Sequence, residues 1–273
     1  MEKAGSAAIL IRKIPLLGSV VKIKRCPADV SFDEIEKLAT KYSTAVIKIE
    51  VDIKTHDPEY QKLEKEFKLN GYHDSNVAFC PTKTSYINLA PTEEEIFASF
   101  QRDAQVHIRK NEINGLKIRE AQFLEEIYPL LEFSGKSRHF IVQKHADWLD
   151  QWGIFSKQAK VILAYLGDDL LGGNMFLVSG TTAFGIFLPL SEVGRKRHAA
   201  YTLMWEGFKL AKKEGCLTFD LEGIYDIRYG RPKEWLGLTA FKRKFCGEEV
   251  EFMRAKVKAR KWYLKPFAWA GAL

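Results

Sequence analysis

The sequence predicts a mixed α/β fold in two parts, and three observations carry that reading. Strand-like and helix-like segments alternate over residues 18–72. Three apolar segments separated by tight turns read as an antiparallel meander over 159–188. An amphipathic helix and an apolar strand follow it directly, over 199–223.

Taken in order, "GSVVKIKRC" (18–26) has the β-branched content of a strand. In "SFDEIEKLATKYS", Ser31 is placed to cap a helix, with Glu34 three residues on and Ile35, Leu38 and Ala39 on one face. "TAVIKIEVDI" alternates as a half-buried strand does, and "DPEYQKLEKEFKLNGY" reads as a helix stopped by Gly71. A polar connector over 74–84 leads to the short strand "SYINLA". The segment "PTEEEIFASFQRDAQVHIRKNEING" reads as one helix with a Thr92/Glu95 capping box, closed by Asn114-Gly115. Its apolar face is Ile96, Phe97, Phe100, Ala104 and Ile108, which leaves Arg102, Arg109 and Lys110 toward solvent. "LKIREA" is a strand, and "FLEEIYPLLEFSGK" and "QKHADWLDQWGIF" are helices. The meander strands are "AKVILAYLG", "LLGGNMFLVSG" and "TTAFGIFLP". A basic loop at Gly194–His198 opens the next helix, whose inward face is Leu203, Met204, Gly207, Phe208 and Ala211, and "CLTFDLEG" is a strand of central character. The expected division is a shortened first domain (1–82), a second domain (83–253) and a basic, aromatic tail (254–273).

The composition, 46% hydrophobic and 28% charged, is that of an ordered globular chain. A formal charge of +7 favours an anionic partner, and residues 242–265 hold nine Lys/Arg against three Glu. Cys26, Cys80, Cys216 and Cys246 lack metal-ligand spacing and read as reduced structural thiols. The N-terminal apolar run is broken by Arg12 and Lys13, so neither a signal peptide nor a membrane span is expected, and the chain reads as cytoplasmic.

Three antiparallel strands, a helix and a further strand are the core order of the acetyltransferase (GNAT) superfamily. Three stretches then resemble the FemABX family, the aminoacyl-tRNA-dependent transferases that build peptidoglycan cross-bridges. They are "YINLAPTEEEIFASFQRDAQVHIRKNEINGLKIRE", "AAYTLMWEGFKLAKKEGCLTFDLEGI" and "GLTAFKRKFCGEEVEF". The resemblance implies two GNAT-like halves, the first reduced and the second complete. It also implies transfer of an amino acid from aminoacyl-tRNA to an amine of a UDP- or lipid-linked peptidoglycan precursor. No metal or bound cofactor is implied, and a monomer working at the inner face of the membrane is expected. The chain departs from the family at its start, which lacks the family's first strand and helix, and in having no coiled-coil arm.

The same resemblance selects candidate residues. Lys242 and Phe241 in "AFKRKF" sit where the family has a functional Phe-Lys pair: the ring to support the tRNA end, the ammonium to bind phosphate or the oxyanion. A solvated lysine in a basic run is the plainer alternative. Arg195, Lys196, Arg197 and His198 stand where CoA-dependent relatives carry glycines, so phosphate contacts through side chains are one reading and a solvated turn the other. Tyr201 aligns with a tyrosine of the acceptor groove, or packs its helix. Lys144 and Trp148 lie where the family has a phosphate-binding arginine and a tyrosine, an ordinary amphipathic helix being the alternative. Glu50 in "VIKIEV" matches an acidic residue able to orient the incoming amine, or forms a surface ion pair with Lys48. Asp220 and Glu222 share one side of a strand end, with Asp226 and Arg228 extending the polar loop. His107, His139 and His198 have no triad partners, so Ser-His-Asp catalysis is not expected. The tail suits a membrane interface, or packs back onto the first domain. Two further readings stay open: an N-acyltransferase using acyl-CoA or another donor, and a non-catalytic tRNA- or membrane-binding module.

Overall fold

The computed structural model describes residues 2–4, 7–16, 18–138, 141–230 and 234–265. In chain order its elements are β1 (Glu2–Ala4), β2 (Ala7–Ile14), β3 (Gly18–Cys26), α1 (Phe32–Lys41), β4 (Thr44–Val51), α2 (Tyr60–Leu69), β5 (His73–Asp74), β6 (Lys83–Asn88), α3 (Glu93–Ser99), α4 (Arg102–Ile113) and β7 (Lys117–Glu120). There follow α5 (Tyr128–Arg138), α6 (His145–Gly153), β8 (Ala159–Leu166), β9 (Asp169–Ser179), β10 (Thr182–Phe187), α7 (Glu192–Lys196), α8 (Ala199–Lys213), β11 (Thr218–Asp220), α9 (Glu234–Arg243), β12 (Glu248–Glu251) and β13 (Lys256–Ala259). The chain divides into two units: Met1–Thr84 with Gly223–Leu236 and Glu249–Leu273, and Ser85–Glu222 with Gly237–Glu248.

In the first unit a six-stranded sheet runs in the order β1-β2-β3-β4-β13-β5. β3 and β4 are parallel, joined by α1, and Ser31 caps α1 by accepting from the Glu34 N–H. α1 and α2 bury Ile35, Ala39, Leu63 and Phe67 against Ile9, Val21, Ile23, Ile47 and Ile49. All eight residues of β4 are buried, which corrects the alternation expected for it. The strand lies inside the sheet, and its second face is covered as well.

β13 also replaces the separate tail expected from residue 254. It pairs antiparallel with β4 through Lys256–Ala259, so that Val257 packs with Val20, Val46 and Leu264. A strand needs a ladder partner for its N–H and C=O groups, and β4 supplies one. Residues 266–273 of that tail lie outside the described residues.

The second unit is built on a seven-stranded sheet ordered β12-β6-β11-β10-β9-β8-β7. β8, β9 and β10 form the antiparallel meander, and β10 pairs parallel with β11 across the helical connection through α8. Only Thr218–Asp220 of "CLTFDLEG" forms a ladder. α8 buries Leu203, Met204, Gly207, Phe208 and Ala211 as its periodicity predicts. The helix expected over 92–115 is two helices. Phe100 adopts an extended ψ of 152° and drops its ring among Trp205, Phe208 and Phe245, while the Gln101 N–H donates to the Lys244 carbonyl. The capping box of α3 forms with both of its hydrogen bonds.

Candidate active site

In the second unit, β11 ends at Asp220 and the chain leaves through Leu221 and Glu222. Asp220 is 3% exposed and accepts from the Glu222 N–H at 2.7 Å, which holds Glu222 at a φ of 60°. That left-handed conformation is disfavoured by about 1–2 kcal/mol for a residue with a Cβ and is the natural place of a glycine. Lys242, in the last turn of α9, sends its ammonium back to this strand end, donating to the Glu222 carbonyl at 3.3 Å. Burial brings its pKa down to about 8, against the opposing pull of the Glu222 and Asp220 carboxylates. At neutral pH it is still mainly a cation, poorly solvated and next to two carboxylates. Such a group can bind a phosphate or oxyanion, or give its proton to a departing alkoxide.

Beside Lys242, Phe241 packs edge-on against Tyr201 in the first turn of α8, with ring centroids 5.1 Å apart. Tyr201 stacks on His107 of α4 at 5.0 Å, and His107 lies 4.0 Å from His198. The row Phe241–Tyr201–His107–His198 thus joins three helices. Burial, then the neighbouring His198, lowers the pKa of His107; burial, then Asp103, raises that of Tyr201. His198, the N-cap of α8, also has a left-handed φ, 56°. Asn111, one turn beyond His107, secures it by donating to the His198 carbonyl and to the Thr202 hydroxyl. The sequence reading leaves His107 outside the site. The signal was there: His107 and Asn111 interrupt the apolar stripe Ala104–Ile108 with polar groups at helical spacing, on the side α4 presents to α8.

The basic segment before α8 is not a loop. Arg195 and Lys196 form the last turn of α7, where cations suit the negative helix end. Gly194 is a packing residue, since a Cβ there would come within 2.0 Å of the Leu171 carbonyl oxygen. Arg195 turns to α5, donating to Ser137 and lying over the Phe133 ring, and Lys196 pairs with Glu192. Arg197 is exposed. Of the cluster, His198 alone joins the ring row.

Trp148 is a core residue and not the surface binding residue expected of it. It is 1% exposed, inside a cluster with Ile127, Tyr128, Leu131 and Leu163, and presents no surface to a substrate. Lys144 is exposed at the N-cap of α6. In the first unit, Glu50 is 5% exposed and is no surface ion pair: its two carboxylate oxygens accept from the Phe79 and Cys80 N–H groups at 2.5 and 2.8 Å. It pins the 75–82 connector to β4. Asp226 is likewise buried. Burial pushes its carboxyl up, but hydrogen bonds from Arg228 and Thr82 outweigh that and hold it below the usual carboxylate range. His139, and Arg231 and Pro232 of the polar loop, lie outside the described residues. Among the described residues no group of His, Cys, Asp and Glu could hold a metal, and no helix is long and apolar enough to cross a membrane.

No protein-family model matches the chain, and no curated protein does. Solved structures do match. FemX is 15% identical with a TM-score of 0.77, covering 96% of this chain and 86% of its own. L-PGS from Bacillus licheniformis is 12% identical with a TM-score of 0.61, covering 94% and 82%. The C-terminal domain of a protein from Agrobacterium fabrum, assigned as a lysylphosphatidylglycerol synthetase, is 11% identical with a TM-score of 0.63, covering 98% and 84%. Identities this low speak for the fold alone. The chain therefore has the mixed α/β, GNAT-like fold of the FemX type, resembling the FemABX family in architecture as it does in its three sequence stretches.

Proposed function

We propose that the protein is an aminoacyltransferase that moves an amino acid from aminoacyl-tRNA to an amine of a peptidoglycan precursor. The amine attacks the ester carbonyl, the carbon–nitrogen bond forms as the ester bond to the ribose breaks, and the amine's proton ends on the ribose oxygen. The observation that carries the reading is Lys242: a desolvated ammonium with a pKa of about 8, held at the end of β11 beside the Phe241–Tyr201–His107–His198 row. Preorganised cations of this kind stabilise developing negative charge, typically by about 10²–10³ in rate for one donor. The ring row offers stacking faces for the unpaired bases of a tRNA end. At the head of α8, His198 holds a left-handed conformation more usual for glycine, and its imidazole stands against His107 at the end of the ring row. The choice of acceptor follows the three sequence stretches that resemble the FemABX family.

A second acceptor is favoured by the two other solved structures, one of them assigned to lysylphosphatidylglycerol synthesis: a phospholipid hydroxyl, giving an ester in place of an amide. The test is incubation with a charged tRNA pool and either UDP- or lipid-linked muropeptides or phosphatidylglycerol, followed by mass spectrometry. An added aminoacyl mass on the muropeptide, dependent on tRNA charging, is the expected result. Product from acyl-CoA instead would replace this reading with N-acylation, and no product from any donor would favour a binding module.

A further inference from the structure

β3 and β4 run parallel with Lys22 opposite Lys48, so both side chains leave one face of the first unit's sheet. Lys24 and Glu50, each two residues further on, share that face. Arg12 joins it from β2, where it pairs with Val20. The ring of Phe79, from the connector, lies among the ammonium groups: Lys48 Nζ is 4.0 Å from its centroid, Lys22 Nζ 4.2 Å and Lys24 Nζ 5.5 Å. Exposure falls steadily along the row. Arg12 and Lys24 are exposed, Lys22 is half-buried and Lys48 is 2% exposed.

The charges do not balance. Among the described residues Glu50 is the one carboxylate that acts on Lys48 and Lys22, and both its oxygens are committed to the Phe79 and Cys80 amides. Burial, opposed by Glu50, pushes the Lys48 ammonium down to about 8; burial, then Lys24 and Arg12, lowers Lys22. Crowded cations over a single ring detract from stability, since a buried charge is disfavoured without a partner. Residues that work against the fold in this way mark functional positions. An anion carrying several acceptor oxygens removes the conflict, and lysines serve such a group as point charges on flexible stems.

We propose that Lys22, Lys24 and Lys48, gathered over the Phe79 ring with Arg12 at the open end, form an anion site that takes a phosphate group. The phosphate comes either on a soluble phosphorylated compound or on a lipid headgroup, which present the same oxygens. The site does not rest on the transfer reading, because its binding is measured without tRNA. The full-length protein is titrated calorimetrically with inorganic pyrophosphate, and separately sedimented with phosphatidylglycerol or phosphatidylcholine vesicles. Saturable binding is expected that weakens at least tenfold in Lys48→Met and in Lys24→Gln. The exposed Lys24 is chosen so that folding is retained, and Lys65→Gln, an exposed change of equal charge on α2, is expected to bind as the wild type does. Pyrophosphate binding alone identifies a soluble ligand; sedimentation with phosphatidylglycerol alone, lost in Lys24→Gln, identifies a lipid. No binding of either, equal binding by the variants, or an equal loss in Lys65→Gln would overturn the site and leave the transfer reading untouched.

Discussion

Lys242 is an ammonium kept in a place that disfavours its charge, and its titration makes that measurable. Its folded pKa, about 8, lies below the 10.5 of an unperturbed lysine. Between those values the unfolded chain holds a proton that the folded one has released, so stability rises with pH across that window. Below about pH 8 the full cost of the buried charge is present. Lys242→Met is therefore expected to be more stable than the wild type at pH 7, with the gap closing toward pH 10.5. Urea midpoints at several pH values check this, and a gap that stays constant would contradict it. Glu222 and His198 show similar local cost, since each carries a side chain at a left-handed backbone position. The three residues in or beside the proposed site are thus all less comfortable than a purely structural residue would be. Their types could be read from the sequence, and the resemblance drew attention to each. Their backbone angles could not, because they follow from the strand end and from the α7–α8 junction.

Helix and strand assignments succeeded where the local pattern decides and failed where a distant contact does. The Ser31 and Thr92 caps and the inward face of α8 were all legible. The break between α3 and α4 was not, because Ile96, Phe97, Phe100, Ala104 and Ile108 continue one helical stripe through it. What breaks the helix is the pocket between Trp205, Phe208 and Phe245, which takes the Phe100 ring, and the Lys244 carbonyl, which takes the Gln101 N–H. Phe100→Ala is expected to destabilise by about 3–5 kcal/mol, the range for emptying a buried aromatic site. Thermal unfolding checks this, and a loss well under 1 kcal/mol would show that the break is set locally. The alternation of β4 misled in a similar way. Lys48 and Glu50 have the look of an outer face, yet the connector that Glu50 itself anchors closes over them. The basic run at 194–198 likewise joined residues that α7 turns in different directions.

At the scale of the whole molecule, β13 shows why a division by sequence position fell short. A charged, alternating segment near the C-terminus reads as a separate tail, suited to a membrane interface or packed back on the first domain, but it completes the first sheet by pairing with β4, and β5 pairs with it in turn. Lys256, 3% exposed in its side chain, bonds Glu64 and Asp74 there, so part of the basic surplus is spent inside the first unit. The aminoacyltransferase reading meanwhile draws on the second unit alone: Lys242, the strand end at Asp220–Glu222 and the ring row. The measurement that tests it most directly is single-turnover transfer from a charged tRNA to a muropeptide acceptor by the wild type and by Lys242→Met. The account predicts that the variant retains its fold and loses about 10²–10³ in rate. Transfer at the wild-type rate by a folded Lys242→Met protein would contradict it.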